Sequence, residues 1–172
     1  VSQGTPQFKV NCKFKNKKQK EMHDTILENR ITFVRGAAGT GKTFISCYLA
    51  FDDMSKGAYE KLVIIRSAVP TRDIGFLPGT EKEKSSVYEE PYQAVSNELF
   101  ARGDAYGILK QKSLVEFMTT SFIRGITLKH AVILVDECQN MSFHELDSII
   151  TRIGQNCRVI FCGDFRQADL EK

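Results

Sequence analysis

Between an apolar run, Ile31-Thr32-Phe33-Val34, and a helix-like segment, Phe44 to Ala50, the chain reads Gly36-Ala37-Ala38-Gly39-Thr40-Gly41-Lys42-Thr43. The spacing of Gly36, Gly41, Lys42 and Thr43 is that of a phosphate-cradling P-loop, set between a strand and a helix as such loops require. Its glycines let successive N–H groups point inward as a nest, and the following helix starts there with its positive dipole end. Such a cavity takes a polyphosphate. The expected ligand is a polyphosphate with Mg²⁺, bound by Gly36, Ala37, Ala38, Gly39, Thr40, Gly41, Lys42, Thr43 and Phe44. Lys42 reaches the β- and γ-phosphates, and the Thr43 hydroxyl ligates Mg²⁺, a cation that prefers a few oxygen ligands plus phosphate. A flexible glycine-rich turn is the bland alternative, and the flanking strand and helix argue against it.

A second group of chemical residues closes the apolar run Ala131-Val132-Ile133-Leu134-Val135, which delivers Asp136 and Glu137 to a strand's carboxyl end. Ligands of open α/β sheets bind at that end. Asp136 is the expected Mg²⁺ partner and Glu137 the expected general base or water-orienting group. Two acids after an apolar strand are common on their own; a P-loop upstream gives them a task. A third strand, Arg158 to Cys162, runs into Gly163-Asp164-x-x-Gln167, which places Gln167 on the same rim as a candidate sensor of the γ-phosphate. By itself this piece reads equally as a turn capped by Asp164.

The elements that must hold these residues follow from periodicity. A helix near 17–29 carries Met22, Ile26 and Leu27, and alternation of Phe8, Val10, Cys12 and Phe14 suggests an extended segment before it. Leu62-Val63-Ile64-Ile65 is too short for a helix and reads as a strand covered on both faces. The stretch from Pro70 to Pro91 is turn-rich and charged, with helices expected near 92–102 and 104–112, a strand at Leu114–Phe117 and an amphipathic helix over 142–153 beginning at Ser142. Alternating strands and helices predict an α/β fold, a parallel sheet flanked by helices with right-handed crossovers.

Composition narrows the class. A chain of 172 residues, 42% hydrophobic, is about one domain long. It holds no apolar run of membrane-spanning length and no leader-like pattern, so a cytoplasmic protein is expected. Five cysteines without a C-x-x-C pair predict reduced, mostly buried thiols rather than a disulfide framework or a zinc site. The net charge is +3, yet residues 1–35 hold eight Lys/Arg against three Asp/Glu. Lys13, Lys15, Lys17, Lys18 and Lys20 fall together around Phe14, a pattern that suits either a solvated face or a track for a phosphate backbone.

The chain order of P-loop, Asp-Glu and Gly-Asp-x-x-Gln resembles motifs I, II and III of superfamily 1 helicases. By that resemblance Gln19, upstream of the P-loop, matches the glutamine that reads adenine. The blocks Gly39-Thr40-Gly41-Lys42-Thr43, Arg66-x-Ala68-Val69, Gly75-Phe76-Leu77-Pro78-Gly79, Phe122-x-Arg124-Gly125-x-Thr127-Leu128, Val135-Asp136-Glu137-x-Gln139-Asn140, Thr151-Arg152-Ile153-Gly154 and Gly163-Asp164-x-x-Gln167 together look like the PhoH-like proteins. The resemblance implies a RecA-like P-loop NTPase fold in a single ATPase domain over 1–172, with 1–16 as a basic extension. It implies a cytoplasmic ATP-binding ATPase, related to proteins that unwind RNA when fused to a nuclease domain. Ser67 replaces a usual proline, Arg166 and Ala168 depart from the pattern around the third motif, and the sequence stops at Lys172, before the family's C-terminal block with its arginine.

The leading expectation is an ATPase coupled to single-stranded RNA or DNA, acting as a homo-oligomer because a motor needs two such lobes. Arg66, Arg72 and Arg124 are the candidates to reach a neighbour's γ-phosphate. A regulatory switch driven by ATP and a P-loop kinase for a small metabolite are the alternatives. The kinase reading calls for an Arg-rich lid that the sequence does not display.

Overall fold

The computed structural model describes residues 14–67 and 81–166, with side chains from residue 86 onward in the second segment. Five strands, β1 (Ile31–Arg35), β2 (Lys61–Arg66), β3 (Val115–Thr119), β4 (Ala131–Val135) and β5 (Arg158–Gly163), form one sheet in the order β1-β5-β4-β2-β3. All neighbours are parallel, with Phe33 opposite Phe161, Val135 opposite Phe161 and Ile65 opposite Val135. The predicted α/β architecture is therefore present, and it is that of a RecA-like P-loop domain.

Side-chain alternation along the strands feeds two cores. Leu62, Ile64, Val132, Leu134, Ile160 and Cys162 face α1 (Lys17–Glu28), α2 (Lys42–Ser55), α3 (Glu81–Phe100) and α4 (Ala105–Gln111). Val63, Ile65, Ile133, Val135, Val159 and Phe161 face the other way, toward Ile149 of α5 (Phe143–Ile150) and the loop residues Ile123, Leu128 and Met141. β4 is buried along its whole length. That explains its unbroken apolar sequence, since both of its faces are covered.

Three elements differ from expectation. The charged stretch ending at Pro91 is helical from residue 81, and α3 passes through Pro91. Proline removes the N–H that would serve the carbonyl of Val87, but Val87 is 41% exposed, so water can take that acceptor. The strand expected at 114–117 runs from Val115 to Thr119. The helix expected over 142–153 stops at Ile150, because the next residues spend their backbone groups on another segment: Leu128 N–H donates to Arg152 O at 2.8 Å and Gly154 N–H to Leu128 O at 2.7 Å. Residues 1–13, 68–80 and 167–172 lie outside the described part, and with them the extended segment around Phe8–Cys12, Arg72 and Gln167.

Cys47, Cys138, Cys157 and Cys162 are free and buried. Burial pushes the Cys47 and Cys162 thiols far above the ordinary range, and Cys138 up to about 11. No described helix is long and apolar enough to cross a membrane.

A methyl group added at Gly154 would lie 2.7 Å from the Leu128 carbonyl oxygen, a backbone atom locked in the pairing just described. Gly154→Ala is therefore expected to destabilise the protein by about 1–3 kcal/mol, the usual cost of overpacking, read as a lower urea midpoint at unchanged slope.

Candidate nucleotide site

Four strand ends meet on one rim of the sheet: β1 leads into the P-loop, β4 into Asp136, β5 into Asp164 and β2 into Ser67. The P-loop is bent by Gly39 and Gly41, whose φ angles of 76° and 86° lie in the left-handed region where a side chain is strained. Gly41 is the N-cap of α2, and the first helical bond is Ile45 N–H to Gly41 O at 3.0 Å. The preceding N–H groups of Lys42, Thr43 and Phe44 have no acceptor inside the helix, and they mark the anion end of its dipole. The side chain of Phe44 itself packs against the core, so its place in the site belongs to its backbone.

Lys42 Nζ is folded onto the loop, donating to Gly36 O at 2.6 Å and Ala37 O at 2.8 Å. Thr40 Oγ1 donates to Ala37 O at 2.8 Å and closes the loop from the other side. An ammonium held by two carbonyls is satisfied but not neutralised, so phosphate oxygens can compete for it.

Asp136 is 6% exposed and carries the densest set of bonds on the rim. Its Oδ2 accepts from Thr43 Oγ1 at 3.3 Å and from Tyr92 Oη at 2.7 Å, while Oδ1 accepts the Glu137 N–H at 2.9 Å. Glu137 sits in the left-handed region at φ 52°, a conformation costing on the order of 1–3 kcal/mol and found where a side chain must be aimed. Its Oε2 accepts Gln139 Nε2 at 2.6 Å, and Gln139 Oε1 accepts the Asp164 N–H at 3.2 Å. Gln139 thus ties the second motif to the third. A Cβ at Gly163 would fall 2.9 Å from both Gln139 Oε1 and Cys138 Sγ, which is why the residue before Asp164 is glycine.

Asp164 is also 6% exposed. Burial works against its charge, but the Arg166 N–H and guanidinium, at 3.2 and 3.3 Å, outweigh it and hold the carboxyl below its usual range. Gln19 is brought to the P-loop, with Nε2 donating to Thr40 O at 3.1 Å and Oε1 accepting the Lys15 N–H at 2.7 Å. Gln19, the P-loop and Asp164 line a cleft of about 540 Å³ whose charged members are Lys18, Arg35, Lys42 and Arg166 against Asp164. Four cations to one anion suits a polyphosphate.

The geometry therefore gathers Gln19, Gly36 to Thr43, Asp136, Glu137 and Asp164, while Gln167 lies outside the described residues. Of the arginine candidates, Arg66 lies with its guanidinium 5.4 Å from the Tyr88 ring, and Arg124 is exposed beside His144. Among the lysines, Lys15, Lys17, Lys18 and Lys20 are exposed, and Lys18 lines the cleft.

A family model described as PhoH-like protein matches residues 11–172. The chain belongs to the PhoH-like family. It is 34% identical over 156 residues to a PhoH-like protein of Bacillus subtilis, covering 90% of this chain and 48% of that one. It is 31% identical over 160 residues to Protein PhoH of Escherichia coli K12, covering 92% and 45%. The chain thus spans a little under half the length of these relatives. Among solved structures, the Sulfolobus solfataricus SWI2/SNF2 ATPase core in complex with dsDNA aligns at TM-score 0.53 and 12% identity, over 86% of this chain and 30% of that one. That likeness is one of fold.

Sequence reasoning missed Tyr92. It is fully buried on α3, and burial first, then the Asp136 charge, pushes its hydroxyl well above the ordinary range, so it stays a proton donor to the carboxylate. A tyrosine at a core-facing helical position carries no distinguishing pattern; its partner is visible only once α3 is docked. Tyr92→Phe removes that donor and nothing else. It is expected to cost about 1.5–3 kcal/mol of stability, as for a hydrogen bond to a charged group, measured by urea unfolding. A loss below about 0.5 kcal/mol would show that the bond carries no weight.

Proposed function

We propose that this chain is a cytoplasmic, Mg²⁺-dependent ATPase whose nucleotide cycle is coupled to single-stranded nucleic acid, RNA in the first place. The observation that carries the reading is the convergence of the P-loop lysine, the Thr43–Asp136 pair and Glu137 on one rim beside a cationic cleft. ATP lies with its phosphates in the nest of Gly36 to Thr43, and Lys42 exchanges the Gly36 and Ala37 carbonyls for β- and γ-phosphate oxygens. Gln19, already at the P-loop, addresses the adenine.

Thr43 and Asp136 present hard oxygen donors to one point, as a Mg²⁺ ligand pair must. Bound there, the cation would neutralise charge on the β- and γ-oxygens. Asp136 accepts from Tyr92 and from the Glu137 N–H, and these bonds would keep it in place with the Thr43 hydroxyl engaged by a bound cation. Glu137, pinned by Gln139, takes the proton of the attacking water as general base. Gln167, three residues after Asp164 in the sequence, is assigned the γ-phosphate contact.

The polymer half of the reading is supported by the exposed Lys15, Lys17, Lys18 and Lys20 at the start of α1, next to Gln19. A strand held there acts on the helix that carries the adenine contact. The oligomeric half rests on the need for a second lobe, with Arg66 or Arg72 as the finger offered to a neighbour.

Lys42→Ala is expected to abolish or greatly weaken ATP binding. Glu137→Gln should leave binding intact and slow hydrolysis by about 10²–10⁴, the contribution of a positioned general base. Titration with a fluorescent ATP analogue and a phosphate-release assay read the two effects separately; hydrolysis that survives Glu137→Gln while binding fails would exchange the roles of Asp136 and Glu137. ATP turnover per subunit should also rise as subunits assemble, a finger in trans being worth about 10³–10⁵ in rate. Turnover independent of protein concentration across the monomer range would exclude that finger.

A further inference from the structure

The carboxyl rim has a second concavity at its far end, over β2 and β3. Thr120, Ser121, Arg124, His144, Glu145 and Ser148 enclose about 280 Å³. Its floor is set by Glu145. Ser67 Oγ and Thr120 Oγ1 donate to Glu145 Oε1 at 2.7 and 2.6 Å, and the Ser142 N–H donates to Oε2 at 2.8 Å. Burial raises the pKa of this carboxyl, and the Thr120, Ser67 and Ser142 donors more than reverse it, holding it below the usual carboxylate range. Both carboxylate oxygens are thus engaged by the protein. Ser67, which stands where the family resemblance calls for proline, contributes one of those donors, and a proline has no hydroxyl to offer.

What the concavity presents outward is donor chemistry. Arg124 Nη2 lies 3.1 Å from His144 Nε2, a guanidinium donating to an imidazole, and no carboxylate among the described residues is paired with it. The Ser121 hydroxyl completes the wall, while Ser148 Oγ donates to His144 O at 2.8 Å. Beside it stand two aromatic rings with no reason in packing to be outside: Phe122 is 62% exposed and Phe143 is 85% exposed. Phe122 and Arg124 belong to the turn after β3, Phe143 and His144 to the first turn of α5, and these two elements pack against each other. A cation and a hydroxyl on the same two elements as two exposed aromatic rings form the combination that binds a single strand, with backbone phosphate on the cation and bases on the rings.

We propose that this concavity is a single-stranded polynucleotide subsite, with Arg124 and Ser121 taking one backbone phosphate and Phe122 and Phe143 stacking the flanking bases. The assignment rests on the ATPase reading above and locates its polymer on the rim, separate from the lysines of α1. It also frees Arg124 from the role of a finger. The route to the nucleotide is short and covalent. Glu137 and Asp136 are joined to His144 through the turn Cys138–Asn140 and the Ser142–Glu145 capping box, so a strand pulling on the first turn of α5 pulls on the segment that holds Glu137 in its left-handed conformation.

Fluorescein-labelled U12 and dT12 are titrated against wild type, Arg124→Ala, Phe143→Ala and a variant with Lys15, Lys17 and Lys20 changed to Ala. Each is checked for an unchanged melting temperature and unchanged affinity for a fluorescent ATP analogue. Phe143→Ala is expected to weaken U12 by roughly 5- to 150-fold, the span of one lost base stack. Arg124→Ala should lower the logarithmic salt slope by about 0.7, one phosphate contact on a single strand. Both should reduce the stimulation of ATP turnover by U12 in proportion. Equal losses for U12 and dT12 identify a backbone-and-stacking site, and a larger loss for U12 adds a ribose contact; either supports the subsite. If wild type binds U12 and only the triple lysine variant loses it, the subsite is overturned while the coupled ATPase stands. If wild type binds neither strand and its turnover ignores both, the nucleic-acid reading itself falls and the subsite with it.

Discussion

A single buried carboxylate organises this site. Asp136 is almost out of water, and a lone charge there would be prohibitive unless hydrogen-bonded on every side. Three donors meet that demand, and each comes from a different part of the chain: Thr43 from the P-loop, Tyr92 from α3 and the backbone of Glu137 from the strand's own exit. The requirement to solvate one anion therefore fixes the P-loop helix against β4 and holds α3 over the sheet. It also holds Glu137 in a conformation that its own sterics disfavour. Removing a partner from such a charge costs more than the same bond at the surface, because nothing else can replace it.

The strand order makes the rest geometric. β4 lies between β5 and β2, so the acids it delivers have the third motif on one side and the Ser67 end of β2 on the other. On the first side Gln139 connects Glu137 to the Asp164 backbone; on the second, Glu145 connects Ser67 and Thr120 to the cap of α5. Residues 136–148 form a continuous path along the rim, from the nucleotide cleft to the Arg124 concavity. Gln139 donates to Glu137 and accepts from Asp164, and both oxygens of Glu145 accept protein donors, so a displacement at one end is felt in hydrogen bonds at the other.

Much of this was legible in the sequence where the cause is local. The apolar runs at 31–34, 62–65, 131–135 and 158–162 are all strands, and Gly39 and Gly41 of the P-loop stand at positions whose φ angles require them. The helix expected to begin at Ser142 does so, with Ser142 as its N-cap. What was not legible depends on contacts between distant segments. The end of α5 is decided by the backbone of Leu128, and α3 runs through a proline, beside the exposed Val87, that local rules treat as a stop. The roles of Tyr92 and Gln139 belong to partners 44 and 25 residues away, the Asp136 carboxylate and the Asp164 N–H, which no periodicity encodes.

A structure with Mg²⁺ and a non-hydrolysable ATP analogue tests the central claim most directly. The account predicts the triphosphate in the nest of Gly36 to Thr43, with Lys42 Nζ moved from the Gly36 and Ala37 carbonyls to the β- and γ-phosphates. It further predicts that the Thr43 hydroxyl turns from Asp136 to the cation, while the Tyr92–Asp136 bond persists. A nucleotide bound elsewhere, or Lys42 still on the loop carbonyls with the phosphates in place, would contradict it.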